Sequence, residues 1–224
     1  MTTSTNEQPA MQGKVTVDMS ISLDGYIAGP NDGPENPLGD GGGRLHKWVY
    51  DLASWREQQG LDGGKTNRDS EIVAESTENV GAVVMGRRMF SNGDGPWGDD
   101  PFEGHWGDNP PFGVPVFVIT HYEREPLEMD GGTTFTFVTD GIEHALKQAK
   151  AAAGDQDVEI VGGANTVQQF VAAGLVDEIQ LHVSPVILGD GIRLFESLGS
   201  EPIELERTRV IDSSDVTHLR FQIT

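Results

Sequence analysis

Apolar and polar positions alternate from Lys14 to Ile27 (KVTVDMSISLDGYI), the period of a half-buried strand, and the run meets the turn pair Asp24-Gly25. Residues 29–43 (GPNDGPENPLGDGGG) are turn formers throughout and predict a loop. From 44 to 59 the spacing becomes helical, with Leu45, Trp48, Val49, Leu52 and Trp55 on one face. After a glycine-containing break, residues 69–80 predict a second, acidic helix with Ile72 and Val73 turned inward. Residues 80–86 (VGAVVMG) form a continuous apolar run, the mark of a strand buried on both faces. Residues 91–113 carry six glycines and four prolines and predict a long irregular segment.

Strands follow at 114–120 and 134–139, then a helix capped by Asp140 that ends at Gly154. The strand Val158–Val161 leads into Gly162-Gly163, and a helix capped by Asn165 or Thr166 runs on to Ala173. Residues 176–188, 203–211 and 216–223 read as strands with few helices between them, the last two joined by the polar turn DSSD. An order of βα repeats followed by a β-rich end predicts a mostly parallel mixed sheet with helices on both faces and an antiparallel C-terminal hairpin. No repeat or linker divides it. We expect a short disordered tail over 1–13 and one domain over 14–224.

Composition narrows the functional classes. The formal charge of −21 opposes binding to nucleic acid or to an anionic membrane, both of which require a basic footprint. No apolar run reaches the ~20 residues of a membrane-spanning helix, and the N-terminus lacks the pattern of a signal peptide, so a cytoplasmic location is expected. With no cysteine there is neither a disulfide nor a thiolate site. The six histidines show no HExxH or other close ligand spacing, and the acidic surroundings of His105 read as a solvated loop, so no metal is expected. The chain has neither a G-x-S-x-G elbow nor a Walker A loop, and the stretch at Gly162-Gly163 is not a G-x-G-x-x-G fingerprint.

Against so acidic a background, places where basic residues cluster carry information. Three strand ends stand out. Gly86-Arg87-Arg88 closes one strand and opens a helix, a seat for phosphate if the arginines are not simply solvated. Thr120-His121, with Arg124 beyond, ends another; it is either a polar loop or a contact for the 2′-phosphate that distinguishes NADPH. Gly162-Gly163 ends the third, where the missing side chains allow a ligand or a neighbouring backbone to approach closely. In open α/β sheets ligands bind at the carboxyl ends of parallel strands, and all three spots lie there.

The segments MSISLDGYIAGP, VVMGRRMF, VFVIT, EIVGGANTVQQF and GLVDEIQLHVSPVILGDGIRLFE, in this order, resemble the dihydrofolate-reductase-like superfamily. The nearer resemblance is to the branch of the reductase domain of the bifunctional riboflavin-biosynthesis deaminase–reductase. That resemblance implies a three-layer αβα fold, an NADPH cofactor, a small-molecule acceptor and a homodimer. It places Gly162, Gly163, Ala164, Asn165 and Thr166 at the cofactor pyrophosphate, and Gly86, Arg87 and Arg88 at a second phosphate contact. It also places Thr120, His121 and Arg124 on the adenosine side, and Ile27 and Ala28 near the nicotinamide. Ser20, Asp24, Trp48, Trp97, Gly189 and Asp190 become the candidates for acceptor contact. The family acid on the helix before the MGR strand corresponds to Asp69 or Glu71 by counting back from Met85, and Asp24 is a third candidate. A non-catalytic protein that kept the fold and its nucleotide site is the competing expectation.

Overall fold

The computed structural model describes residues 13–91, 93, 95–98, 104 and 106–224. The expected tail up to residue 12, and His105 with Asp99, Asp100 and Glu103, therefore lie outside the described residues. The strands are β1 (Val15–Ser22), β2 (Tyr26–Ala28), β3 (Val80–Gly86), β4 (Pro115–Ile119), β5 (Leu127–Glu128), β6 (Thr134–Val138), β7 (Asp157–Ile160), β8 (Glu178–Ser184), β9 (Ile192–Arg193), β10 (Leu205–Asp212) and β11 (Thr217–Ile223). The helices are α1 (Lys47–Tyr50), α2 (Ala53–Gln58), α3 (Arg68–Glu78), α4 (Arg87–Ser91), α5 (Ile142–Ala153) and α6 (Ala164–Ala172).

Nine strands form one sheet in the order β10-β11-β8-β1-β7-β3-β4-β6-β5. The run from β8 to β6 is parallel, while β5, β10 and β11 pair antiparallel with their neighbours. This is the expected mixed sheet with an antiparallel C-terminal hairpin. Chain reversal at Asp24-Gly25 takes β2 out of the large sheet to pair with β9, so the first strand is shorter than the alternation suggested.

One face of the sheet buries Val15, Val17 and Ile21 of β1 and Val158 and Ile160 of β7 beneath Ala145, Leu146 and Ala149 of α5 and Val167 and Phe170 of α6. On the other face Val83, Met85, Val116, Val118 and Phe135 pack with Phe90 of α4, while Trp48 and Leu52 pack with Val216 beside α3. The sheet thus lies between two helical layers, the three-layer αβα arrangement expected. Among the described residues no helix is long and apolar enough to cross a membrane.

Three local readings need correction. The single helix expected over 44–59 is a 3-10 turn at Gly42–His46 followed by α1 and α2. Leu52 is extended between them (ψ 142°) because the backbone there is tied to Lys65: Ala53 N donates to Lys65 O (2.9 Å), and Lys65 N donates to Asp51 O (2.7 Å). The apolar period survives, since Leu45, Trp48 and Leu52 are all buried. At α5, Gly141 takes the N-cap position with no side-chain bond, so Asp140 does not cap. At α6 the N-cap is Gly163, and Asn165 and Thr166 lie inside the first turn.

Candidate active site

The carboxyl ends of β3, β4 and β7 converge, as their parallel order requires. Gly86 N donates to Gly162 O (2.8 Å), joining the first strand end to the third. Gly162 has φ +122°, which side-chain-bearing residues rarely adopt, and its peptide bond to Gly163 is cis. A Cβ on Gly86 would lie 2.3 Å from Thr166 Oγ1, so glycine there lets the first turn of α6 settle against the end of β3. A Cβ on Gly163 would meet nothing within 4 Å. No side chain caps α6; Thr166 N turns back to Gly163 O (3.0 Å), which leaves the N–H groups of Ala164 and Asn165 for an acceptor from outside the helix.

The two arginines after Gly86 engage different partners. Arg88 donates to Asp32 Oδ2 (2.7 Å) and fastens the 29–43 loop to the start of α4. Arg87 sits over Trp97, its guanidinium carbon 3.5 Å from the ring centroid. Arg124 reaches the same indole at 4.7 Å. Trp97 donates Nε1–H to Tyr122 O (3.0 Å) and packs edge-on against Phe90 and Phe137. The second strand end is thereby linked to the first through one aromatic side chain. Thr120 is buried, and its hydroxyl accepts from Tyr122 N (3.2 Å); His121 is exposed.

Asp24 accepts from Ser22 Oγ (2.7 Å), Leu188 N (3.1 Å) and Gly189 N (2.7 Å). The serine bond first, and then the two backbone donors, bring its pKa down to about 2. A carboxylate so held is an acceptor and suits a structural pin better than a proton donor. It brings Asp24 and Gly189 together, while Asp190 accepts from Gly191 N (2.8 Å). Ile27 is half-buried against the sheet core and Ala28 is buried, both on β2.

The two remaining acid candidates separate by exposure. Glu71 is at the surface and pairs with Arg68. Asp69 is 1% exposed, and its Oδ1 accepts from His218 Nε2 (3.1 Å). His218 Nδ1 is 2.6 Å from His182 Nδ1, and His182 Nε2 bonds Asp18 Oδ1. Asp18 Oδ2 accepts from Gln180 Nε2 (2.7 Å). Ser20 and Trp48 stand against this chain: Trp48 donates Nε1–H to Ser20 Oγ (3.2 Å), and its ring packs on both imidazoles (centroids 4.7 and 5.3 Å). Burial alone would raise the Asp18 pKa, but the charge and hydrogen bond of His182, with Ser76 and Gln180, lower it on balance. Burial depresses His218, more than Asp69 restores it.

Sequence reasoning missed Asp18, Gln180, His182 and His218. The available signal was register. In parallel and antiparallel pairing alike, Asp18, Gln180 and Arg220 fall in one row, and Ser20, His182 and His218 in the next.

Comparison with known proteins gives the family and the fold. Residues 13–219 match the family described as RibD C-terminal domain. The uncharacterized protein YyaP of Bacillus subtilis (strain 168) is 25% identical over 190 residues, covering 82% of this chain and 81% of YyaP. Among solved structures, a putative riboflavin biosynthesis protein from Shewanella sp. PV-4 superposes with a TM-score of 0.61 at 23% identity, covering 94% of this chain and 99% of that one. The diaminohydroxyphosphoribosylaminopyrimidine deaminase/5-amino-6-(5-phosphoribosylamino)uracil reductase of Thermotoga maritima gives 0.58 at 16% identity, with 95% of this chain covering 57% of that one. Dihydrofolate reductase from Enterococcus faecalis, complexed with NADP(H) and RAB-propyl, gives 0.50 at 12% identity, covering 95% of this chain and 98% of that one. The dihydrofolate-reductase-like fold expected from the sequence is the fold observed.

Proposed function

The chain belongs to the RibD C-terminal domain family, and from that premise we propose that it is an NADPH-dependent reductase acting on a small planar heterocycle, such as a pterin or a ribosylamino-pyrimidine. One observation carries the reading: Gly86, Gly162 and the uncapped start of α6 meet at the carboxyl edge of the parallel strands. The residues present fit a dinucleotide. Gly162 to Thr166 offer backbone donors and close approach for the pyrophosphate. Arg87, Arg88 and Arg124, three of only 15 basic residues, gather at the next two strand ends with Thr120 and His121, where they suit a phosphate on the adenosine side. Ile27 and Ala28 offer an apolar seat for the nicotinamide. When bound, the cofactor supplies the hydride. The protein's part is to bind, to orient and to provide a proton.

The alternative of a non-catalytic binding protein is favoured by one observation. Ser20 and Trp48, both expected at the acceptor, satisfy each other and are buried. Turnover decides between the two.

The test is titration of the purified protein with NADPH and separately with NADH, followed by Trp97-sensitive fluorescence and thermal stabilisation. A ligand that binds only the native state raises its apparent stability, by about 2.7 kcal/mol at a hundred times Kd. The reading expects preference for NADPH, lost in the Arg87→Ala/Arg88→Ala variant, and NADPH oxidation on adding a suitable acceptor. Binding of neither nucleotide overturns it, and binding without oxidation across pterin and pyrimidine acceptors selects the non-catalytic alternative.

A further inference from the structure

The chain Asp18–His182–His218–Asp69 has three hydrogen-bond gaps, and each gap holds one proton. Two neutral imidazoles would bring only two. The third proton makes the histidine pair a cation between two carboxylates, so the four side chains together carry one negative charge. Each ring faces its own carboxylate through Nε2, His182 toward Asp18 and His218 toward Asp69, and the third proton lies between the two Nδ1 atoms, where the cation is shared.

Other groups packed around the chain fit this arrangement. His46, beside it on the 3-10 turn, is held neutral by burial and by the charge on His182. Arg220 of β11 donates to Gln180 Oε1 (2.9 and 2.7 Å) and pairs with Glu178 (3.5 Å), so it offers its charge to those residues and not to Asp18. Trp48 covers both rings.

The chain has one neighbour of a different kind. Thr16 of β1 pairs with Glu159 of β7, so Glu159 and Asp18 are diagonal neighbours on the same sheet face. Glu159 is half-buried, whereas His182, His218 and Asp69 are closed off from solvent. We infer that Asp69, His218, His182 and Asp18 form a store for one extra proton whose port is Glu159, and that Glu159 is the group exchanging protons with a ligand on this face. Its own protonation fits that role. Burial, and then the charge on Asp18, push its carboxyl up to about 8, so it is an acid at neutral pH.

On the reductase reading, on which this last step rests, the acceptor gains two electrons with the hydride of a reduced nicotinamide and one proton from the Glu159 carboxyl. Glu159 is left as a carboxylate. It regains its proton as one passes from Asp18, Asp18 takes one from His182, and water restores the missing proton through Glu159.

The experiment is NMR of protein labelled with 15N in histidine, recorded at neutral pH for the parent and for Glu159→Gln. The expected result has Nε2 of both His182 and His218 protonated and one further proton shared between the two Nδ1 atoms. It also has the His182 ring protons exchanging with solvent roughly a hundredfold more slowly in Glu159→Gln, while the amides of β8 keep their protection. The amide readout separates loss of the port from a change in the fold. Unchanged ring-proton exchange in the variant overturns the inference, as does a pair of neutral imidazoles in the parent. Neither outcome depends on bound nucleotide, so a protein that fails the NADPH titration yet passes here loses the reductase reading and keeps the proton store.

Discussion

At the residue scale, Gly86 is the position most tightly determined by the site. The expected cost of adding one methyl is overpacking, because its Cβ would lie 2.3 Å from Thr166 Oγ1. We expect Gly86→Ala to destabilise the protein by about 1–3 kcal/mol. The conflict is with one oxygen: the next nearest atom, Thr166 Cβ, is at 3.6 Å. In a Thr166→Ala background the same substitution should therefore cost much less. Urea unfolding of the two single variants and the double variant measures this coupling, and strict additivity would contradict the geometry. The sequence made Gly86 and Gly162-Gly163 visible as strand ends that open helices. It did not reveal that they bond each other, because the Gly86 N to Gly162 O contact depends on β3 and β7 being neighbours, which local spacing does not encode. Asp24 shows the same limit. Its turn with Gly25 was legible, but its partners Leu188 and Gly189 are more than 160 residues away.

Elements were legible where an apolar period was unbroken. The parallel strands and the helices α3, α5 and α6 follow that period closely, whereas the 44–59 segment kept its apolar face and lost its continuity to a backbone tie with Lys65. The buried polar chain was hidden for a related reason. Alternation in β1 and β8 reads as one face inward and one face toward water, yet here the polar face is itself covered by Trp48 and α3. Covering a polar face requires its groups to be paired, and that is what Ser20, His182, His218 and Asp69 do. Trp48 is consequently the element-level keystone of this layer. Trp48→Ala should cost about 3–5 kcal/mol through the cavity and the exposed imidazoles. Trp48→Phe retains most of the packing and removes only the bond to Ser20, so its cost should be nearer 1 kcal/mol. Chemical denaturation of both variants checks the ordering, and equal costs would mean that the ring contributes little beyond its N–H.

For the molecule as a whole, a charge of −21 means that like charges repel across a compact surface, and the response to salt should depend on pH. Several groups set the pH profile. Glu159 keeps its proton up to about pH 8 when folded and loses it above about 4.5 when unfolded, so the native state binds more protons in that window and its contribution to stability falls as pH rises through it. His218 works in the opposite sense: its folded pKa is lowered, so the unfolded state takes up the proton first and stability falls as pH drops below about 6.5. The lowered carboxyls of Asp18, Asp24 and Asp215 add stability above about 3.8 that is lost as pH falls further. Maximum stability is therefore expected between about pH 5 and 7, on the acidic side of neutral. Adding salt screens the surface repulsion, over a Debye length that shrinks from ~30 Å at 0.01 M to ~3 Å at 1 M. Tm should rise with sodium chloride at pH 8, where the net negative charge is greater, and rise less at pH 5, where carboxylates begin to protonate. Scanning calorimetry at both pH values, from low salt to 1 M, checks this. In Glu159→Gln the decline of stability from pH 5 to 8 should flatten while the salt response persists, because one half-buried carboxyl sets the first and the whole surface sets the second. A salt response equally strong at both pH values would show that ions stabilise this fold by something other than screening its charge.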